Sequence, residues 1–202
     1  TTTSSIYTLD RFQNATGTAF NFDTTTTQDS STPDGFQKSL KITPDSTQTP
    51  TGSHNGTIRQ MIEGQDVQDL AFGTSSAKSV TVSFYAKSAS SNNNHQYGVQ
   101  LRTRDSAGAA RYVNQAFTVT TSWQRYTMTF AGNTSVAIRN DNGNGFEICF
   151  HLASGPDDIV SAKSTWTTSG AFQTVTGQSN FMDNTSNEFY LTGVQLEVGD
   201  TA

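Results

Sequence analysis

The chain has 202 residues, 33% of them hydrophobic and only 14% charged, with a formal net charge of −5. Its 12 Lys and Arg form no basic stripe of the kind phosphate backbones require, and no Lys/Arg-rich amphipathic or long apolar segment argues for membrane insertion. Disorder goes with high net charge and few aromatics, whereas this chain carries 13 Phe, which supply a large core area per residue.

Residues 1–202 read as a single domain, with N-terminal strands and a loop over 1–34. The chain opens on Thr rather than Met, so it reads as a processed or excised piece whose start carries no targeting information. The TTTTQDSST run at 24–32 and the stretch 43–55 are poor in apolar residues and read as exposed loops. FQKSLKI at 36–42 and IRQMI at 58–62 have strand character. At 65–70, Val67 and Leu70 stand three apart, enough for one helical turn.

From there the period is two. In SVTVSFYAK (79–87), Val80, Val82, Phe84 and Ala86 face one way, and Thr81, Ser83, Tyr85 and Lys87 the other. Tyr97, Val99 and Leu101 alternate with Gln96, Gln100 and Arg102. Val113, Gln115, Phe117 and Val119 alternate with Tyr112, Asn114 and Thr118. Gln124, Tyr126, Met128 and Phe130 form a further row. Phe146, Ile148, Phe150 and Leu152 alternate with Glu147, Cys149 and His151. Residues 154–187 form a long loop without a clean period, but Trp166, Phe172 and Phe181 pack at least part of it down. Phe189, Leu191, Val194 and Leu196 close the series. Turn clusters such as DSAG (105–108) and NDNGNG (140–145) separate the strands, and the whole predicts an all-β sandwich or barrel.

Catalytic constellations are missing from the pattern. Most acids sit in turn clusters (Asp34, Asp45, Asp105, Asp141, Asp157, Asp158) where Asp shapes the turn. Glu147 is the only acid in the middle of a clear strand, and a lone strand carboxylate reads as solvated or hydrogen-bonded rather than as one of a glycosidase pair. His54, His95 and His151 lack metal-ligand spacing, and there is no nucleophile elbow or phosphate-binding glycine loop. Cys149 is the single cysteine, so it makes no internal disulfide and reads as a buried thiol. The chain is read as a non-enzyme.

The order of GFQKSLKI (35–42), SVTVSFYAKS (79–88), TSWQRY (121–126) with Phe130, and EFYLTGVQLE (188–197) resembles the jelly-roll carbohydrate-binding modules of the family-4/9 type. With FGTSS (72–76) and the closing TGVQLEVG (192–199), it looks still more like a domain of bacteriophage tail-fibre and other virion structural proteins. The resemblance implies a jelly-roll β-sandwich of two antiparallel sheets with at most one short helical turn. It also implies that Trp123 is a core-packing residue. In those modules an Asp of the last strand often helps to hold a structural calcium. Here that stretch is LTGV (191–194), with no carboxylate, which leaves only Asp10 and Asp200 as weak candidate metal ligands and no cofactor otherwise.

Sugar recognition needs aromatic faces to stack on the ring, and amide or charged groups for its hydroxyls. The outward residues Tyr85, Lys87, Gln100, Arg102, Tyr112, Asn114, Glu147 and His151 make that inventory if their strands are neighbours. The alternative is an ordinary solvated face, with Tyr a good strand former. Trp166 reads equally as packing, or as a platform or oligomer contact. Three roles follow: a virion surface module that binds a host glycan or cell-surface receptor; a purely structural virion subunit (fibre or capsid decoration), which contacts other virion proteins and assembles as a homo-oligomer; and the carbohydrate-binding accessory module of a glycan-active enzyme. The expected location is the virion surface or outside the cell.

Overall fold

The computed structural model describes residues 6–7, 11–16, 20–168 and 172–202. The strands, in chain order, are β1 (Ile6–Tyr7), β2 (Gln13–Thr16), β3 (Thr24–Asp29), β4 (Ser39–Pro44), β5 (Asn55–Glu63), β6 (Val80–Ser88), β7 (Gln96–Arg104), β8 (Ala110–Thr118), β9 (Gln124–Phe130), β10 (Asn144–Ser154), β11 (Ile159–Val160), β12 (Lys163–Thr168), β13 (Thr174–Val175) and β14 (Phe189–Val198). A seven-stranded sheet runs β1-β2-β5-β10-β7-β8-β12, and a five-stranded sheet runs β3-β4-β14-β6-β9. Every pairing in both is antiparallel, and the chain crosses repeatedly from one sheet to the other, as in a jelly roll. A small parallel ribbon joins β11 to β13. The helical turn expected at 65–70 is the 3-10 stretch Gly64–Leu70, and three single 3-10 turns lie in connections. None of the helices among the described residues is long and apolar enough to cross a membrane.

The alternating apolar rows close face to face between the sheets. Val80, Val82, Phe84 and Ala86 of β6 meet Tyr97, Val99 and Leu101 of β7, with Phe146, Ile148, Phe150 and Leu152 of β10. Aromatic rings fill the middle: Phe84 lies 5.1 Å from Phe117, 5.2 Å from Tyr126 and 5.0 Å from Phe150. The edge-on angles to Phe117 and Phe150 set ring edges against ring faces, the arrangement that aromatic quadrupoles favour.

Three expectations are corrected. Residues 24–29 are not loop but strand β3, in register with β4 from Thr24 opposite Pro44 to Asp29 opposite Ser39. An edge strand needs no apolar row, and β-branched Thr suits a half-exposed pleat. The long segment 154–187 is not loop throughout: it contributes β12 to the large sheet, supplies the β11–β13 ribbon, and buries Phe181. Trp123 is not a core residue; it stands half-buried beside Tyr190 on the outside of the five-stranded sheet.

Candidate functional site

The two outer faces of the sandwich divide the predicted site residues. Gln100, Arg102, Tyr112, Asn114, Glu147 and His151 do share one face, that of the seven-stranded sheet. Arg102 stands opposite both Glu147 and Tyr112, and Gln100 opposite Asn114. That face is not open. The chain's own segment 172–179 lies across it as a strap and buries all six.

The polar groups expected to take sugar hydroxyls hold the strap instead. Gln100 Nε2 and Asn114 Nδ2 donate to the carbonyl of Gln173 at 2.8 and 3.2 Å, and Asn114 Nδ2 also donates to the carbonyl of Thr174 at 3.0 Å. Tyr112 donates its hydroxyl to Gln173 Oε1. The Phe172 ring covers Arg102 at 4.5 Å and Arg59 at 5.2 Å. Gly98 makes the approach possible, because a Cβ there would come within 2.3 Å of Thr174 Oγ1.

Glu147 beneath the strap is wholly buried and holds three guanidinium groups. It accepts from Arg59 Nη1 at 2.9 Å, Arg104 Nε at 3.3 Å and Arg102 Nη1 at 3.5 Å, and from Asn144 Nδ2 at 2.8 Å. With its oxygens so taken, it is the hydrogen-bonded strand carboxylate that the sequence reading favoured. Burial beside this cluster pushes the Cys149 thiol far above its ordinary range.

His151 is fully buried, and among the described residues neither ring nitrogen has a hydrogen-bond partner. Burial, with Arg102 nearby, lowers its pKa from 6.5 to about 3. The folded state therefore resists a proton that the unfolded chain takes up below pH 6.5. The stability that neutral His151 represents is present above the ordinary histidine pKa and is lost as pH falls from about 6.5 toward about 3. The expected slope is up to about 1.4 kcal/mol per pH unit. Urea titrations at several pH values should show this loss, and His151→Phe should flatten it.

Trp166 is packing: it meets Phe72 edge-on at 5.3 Å and donates Nε1 to the carbonyl of Ala131 at 2.6 Å. Asp10 lies outside the described residues. Asp200 accepts from Ser79 Oγ at 2.6 Å, and among the described residues no three His, Cys, Asp or Glu gather as a metal site.

Tyr85 and Lys87 sit on the opposite side of the molecule, on the outer face of the five-stranded sheet, because β6 pairs with β14 and β9 rather than with β7. This face is open. One row across it reads Thr27, Lys41, Tyr190, Lys87, and the next brings Thr192 and Arg125 to either side of Tyr85. Lys87 Nζ lies 4.4 Å from the centre of the Tyr190 ring and 5.6 Å from that of Trp123. Lys41 pairs with Glu188, and Tyr190 donates its hydroxyl to Glu188 Oε2 at 2.8 Å. Burial opposes ionisation of Glu188, but the hydrogen bonds from Lys41 and Tyr190 outweigh it and hold the carboxyl below its usual range.

Phe36 comes in from the loop before β4, 5.4 Å from Tyr85, and is one of two exposed large hydrophobic residues among those described. Both rings lie over Gly193, where β14 bulges by one residue: Thr192 faces Tyr85 and Gln195 faces Ser83. Gly193 has φ +60°, and a Cβ there would press to 2.6 Å from Phe36, so the bulge requires glycine. Gly193 also lines a cleft of about 470 Å³ between the sheets, with Phe12, Gln28, Lys38, Gln60, Leu191 and Val194 among its walls. The aromatic pair and the cleft thus share a wall. Sequence reasoning missed Phe36, Trp123, Arg125 and Tyr190; the spacing of three between Leu191 and Val194 in a strand of period two was the sign of the bulge.

No family model and no curated protein matches the chain. Solved structures match it in fold. The enzymatically active domain of tailspike protein 4 of bacteriophage CBA120 aligns over 95% of this chain at 13% identity, with a TM-score of 0.53. This chain spans one fifth (20%) of that tailspike chain. The family 11 carbohydrate-binding module of a cellulosomal cellulase of Clostridium thermocellum aligns over 98% of this chain and 93% of its own, at 12% identity and TM-score 0.50. The Clostridium thermocellum family 11 module in complex with a β-1,3-1,4-mixed-linked tetrasaccharide aligns over 97% and 95%, at 11% identity and TM-score 0.50. At these identities the likeness is one of fold: a β-sandwich of two antiparallel sheets.

Proposed function

We propose that residues 1–202 form one non-catalytic glycan-binding module whose ligand meets the outer face of the five-stranded sheet at Phe36 and Tyr85. The observation that carries this reading is the exposed Phe36 ring beside Tyr85. A solvent-facing aromatic pair on a sheet is a stacking surface for the apolar face of a sugar ring. Arg125 and Lys87 stand around it with donors for hydroxyls, Thr192 Oγ1, which donates to the Lys38 carbonyl, can accept from one, and the adjoining cleft gives a chain of sugars a second point of purchase.

The family 11 module's complex with a tetrasaccharide supports a glycan as the ligand class. The tailspike likeness, which takes in almost the whole of this chain, supports a place at the surface of a virion, with a host glycan or receptor as partner. The same likeness favours a second reading, in which Phe36 is a contact between virion subunits.

A glycan array with the purified chain, Phe36→Ala and Tyr85→Ala separates the two. Each substitution removes a ring that the core does not use, so the fold should survive. Truncating a stacked aromatic costs about 1–2 kcal/mol of binding, a fivefold to thirtyfold rise in Kd at roughly 1.4 kcal/mol per tenfold. Selective binding weakened by both substitutions supports the proposal. A folded chain that binds no glycan, and whose oligomeric state changes with Phe36→Ala, supports the structural subunit.

A further inference from the structure

Beyond the strap, at the edge of the seven-stranded sheet, lies a second open groove of about 580 Å³, on the other side of the sandwich from Phe36. Arg102, Arg104 and Arg111 line it, with the Gly108–Ala110 backbone and Thr168. On an acidic chain, such a concentration of arginine demands a counter-charge.

The counter-charge within the protein is incomplete. Arg59, Arg102 and Arg104 all direct their ion pairs among the described residues to the single carboxylate of Glu147, leaving three cations to one anion. Arg102 is the least well matched. Its side chain is 5% exposed, its bond to Glu147 is the longest of the three at 3.5 Å, and its Nε is buried with no hydrogen-bond partner among the described residues. A buried, under-bonded guanidinium at the wall of an open groove is a costly arrangement that an anion held in the groove offsets through its charge.

We infer that this groove binds a carboxylate, the acid group of a uronic or similar acidic sugar, through Arg102 and Arg104. Planar guanidinium forks match carboxylates with paired, charge-assisted hydrogen bonds. Burial, only partly offset by Glu147, lowers the Arg102 pKa from its ordinary value, and neighbouring Arg104 and Arg59 lower it further; an arriving anion relieves that stress. The saccharide part of the assignment rests on the glycan-binding reading above, while the anion part stands on the arginines alone.

The test is titration of the isotopically labelled chain with a hexuronic-acid oligosaccharide, its neutral methyl ester, and inorganic phosphate, following the Arg102 and Arg104 Nε–Hε resonances. The acidic oligosaccharide should shift both, its ester neither, and added salt should weaken the effect. Arg104→Gln should weaken binding about tenfold, as loss of a charge-assisted bond pair implies, while Phe36→Ala leaves these shifts in place. Shifts with phosphate but not with the acidic oligosaccharide overturn the sugar assignment and leave an inorganic anion site. Unmoved arginine resonances with every anion overturn the site altogether, whatever the glycan array shows for Phe36.

Discussion

Glu147→Ala should cost about 3–5 kcal/mol of stability, the usual penalty for stranding buried charge. The carboxylate is the only acid that Arg59, Arg102 and Arg104 pair with among the described residues, and it is wholly buried. Removing it leaves three guanidinium groups without their shared acid, Arg59 and Arg102 covered by the Phe172 ring and Arg104 at the edge of the sheet. Glu147→Gln should recover part of the loss, because an amide oxygen can still accept from Arg59, but the net positive charge remains. Urea unfolding should show a lowered midpoint for both variants, with Ala the lower. A loss of under about 1 kcal/mol for Ala would mean that the arginines find solvent instead, and the cluster would be a surface pair of ordinary worth.

Phe84→Ala should be as damaging, for a different reason. Phe84 is fully buried and touches Phe117, Tyr126 and Phe150, so its ring ties β6 to β8, β9 and β10 at once. Truncation removes the transfer energy of the ring and leaves a cavity that three fixed aromatics cannot collapse into, at about 3–5 kcal/mol. For a chain of this size that is a fall in Tm of about 6–20 °C. Phe36→Ala is the natural control: the same chemical change on an exposed ring should stay within about 0.5 kcal/mol of the parent. If the two variants were equally unstable, the division between core and ligand-facing aromatics drawn here would be wrong.

Local alternation was enough to find most strands and to sort their residues into inner and outer rows. Phe84, Val99, Phe117 and Phe150 face inward as that pattern requires, and Gln100, Arg102, Tyr112, Asn114 and His151 do share one outer face. Alternation says nothing of which strands are neighbours. Tyr85 lies next to Thr192 through a pairing of strands distant in sequence, so it joins a face that the pattern of β6 alone could not name. Nor does it say what covers a face: the strap at 172–179 has no period, and its aromatic Phe172 marked it as packed down without saying where. Strand β3 was missed because an edge strand of Thr carries no apolar row, and Trp123 was placed in the core because the resemblance outweighed its position just before β9.

The most direct test of the central claim is amide and side-chain chemical-shift mapping of the chain as a bound oligosaccharide is titrated in. The account predicts the largest changes at Phe36, Tyr85, Arg125, Thr192 and Gly193, with Gln173 and Thr174 of the strap and Gln100 beneath it unmoved. Changes centred on the strap and Gln100, with Phe36 and Tyr85 unaffected, would contradict it and return the site to the seven-stranded sheet.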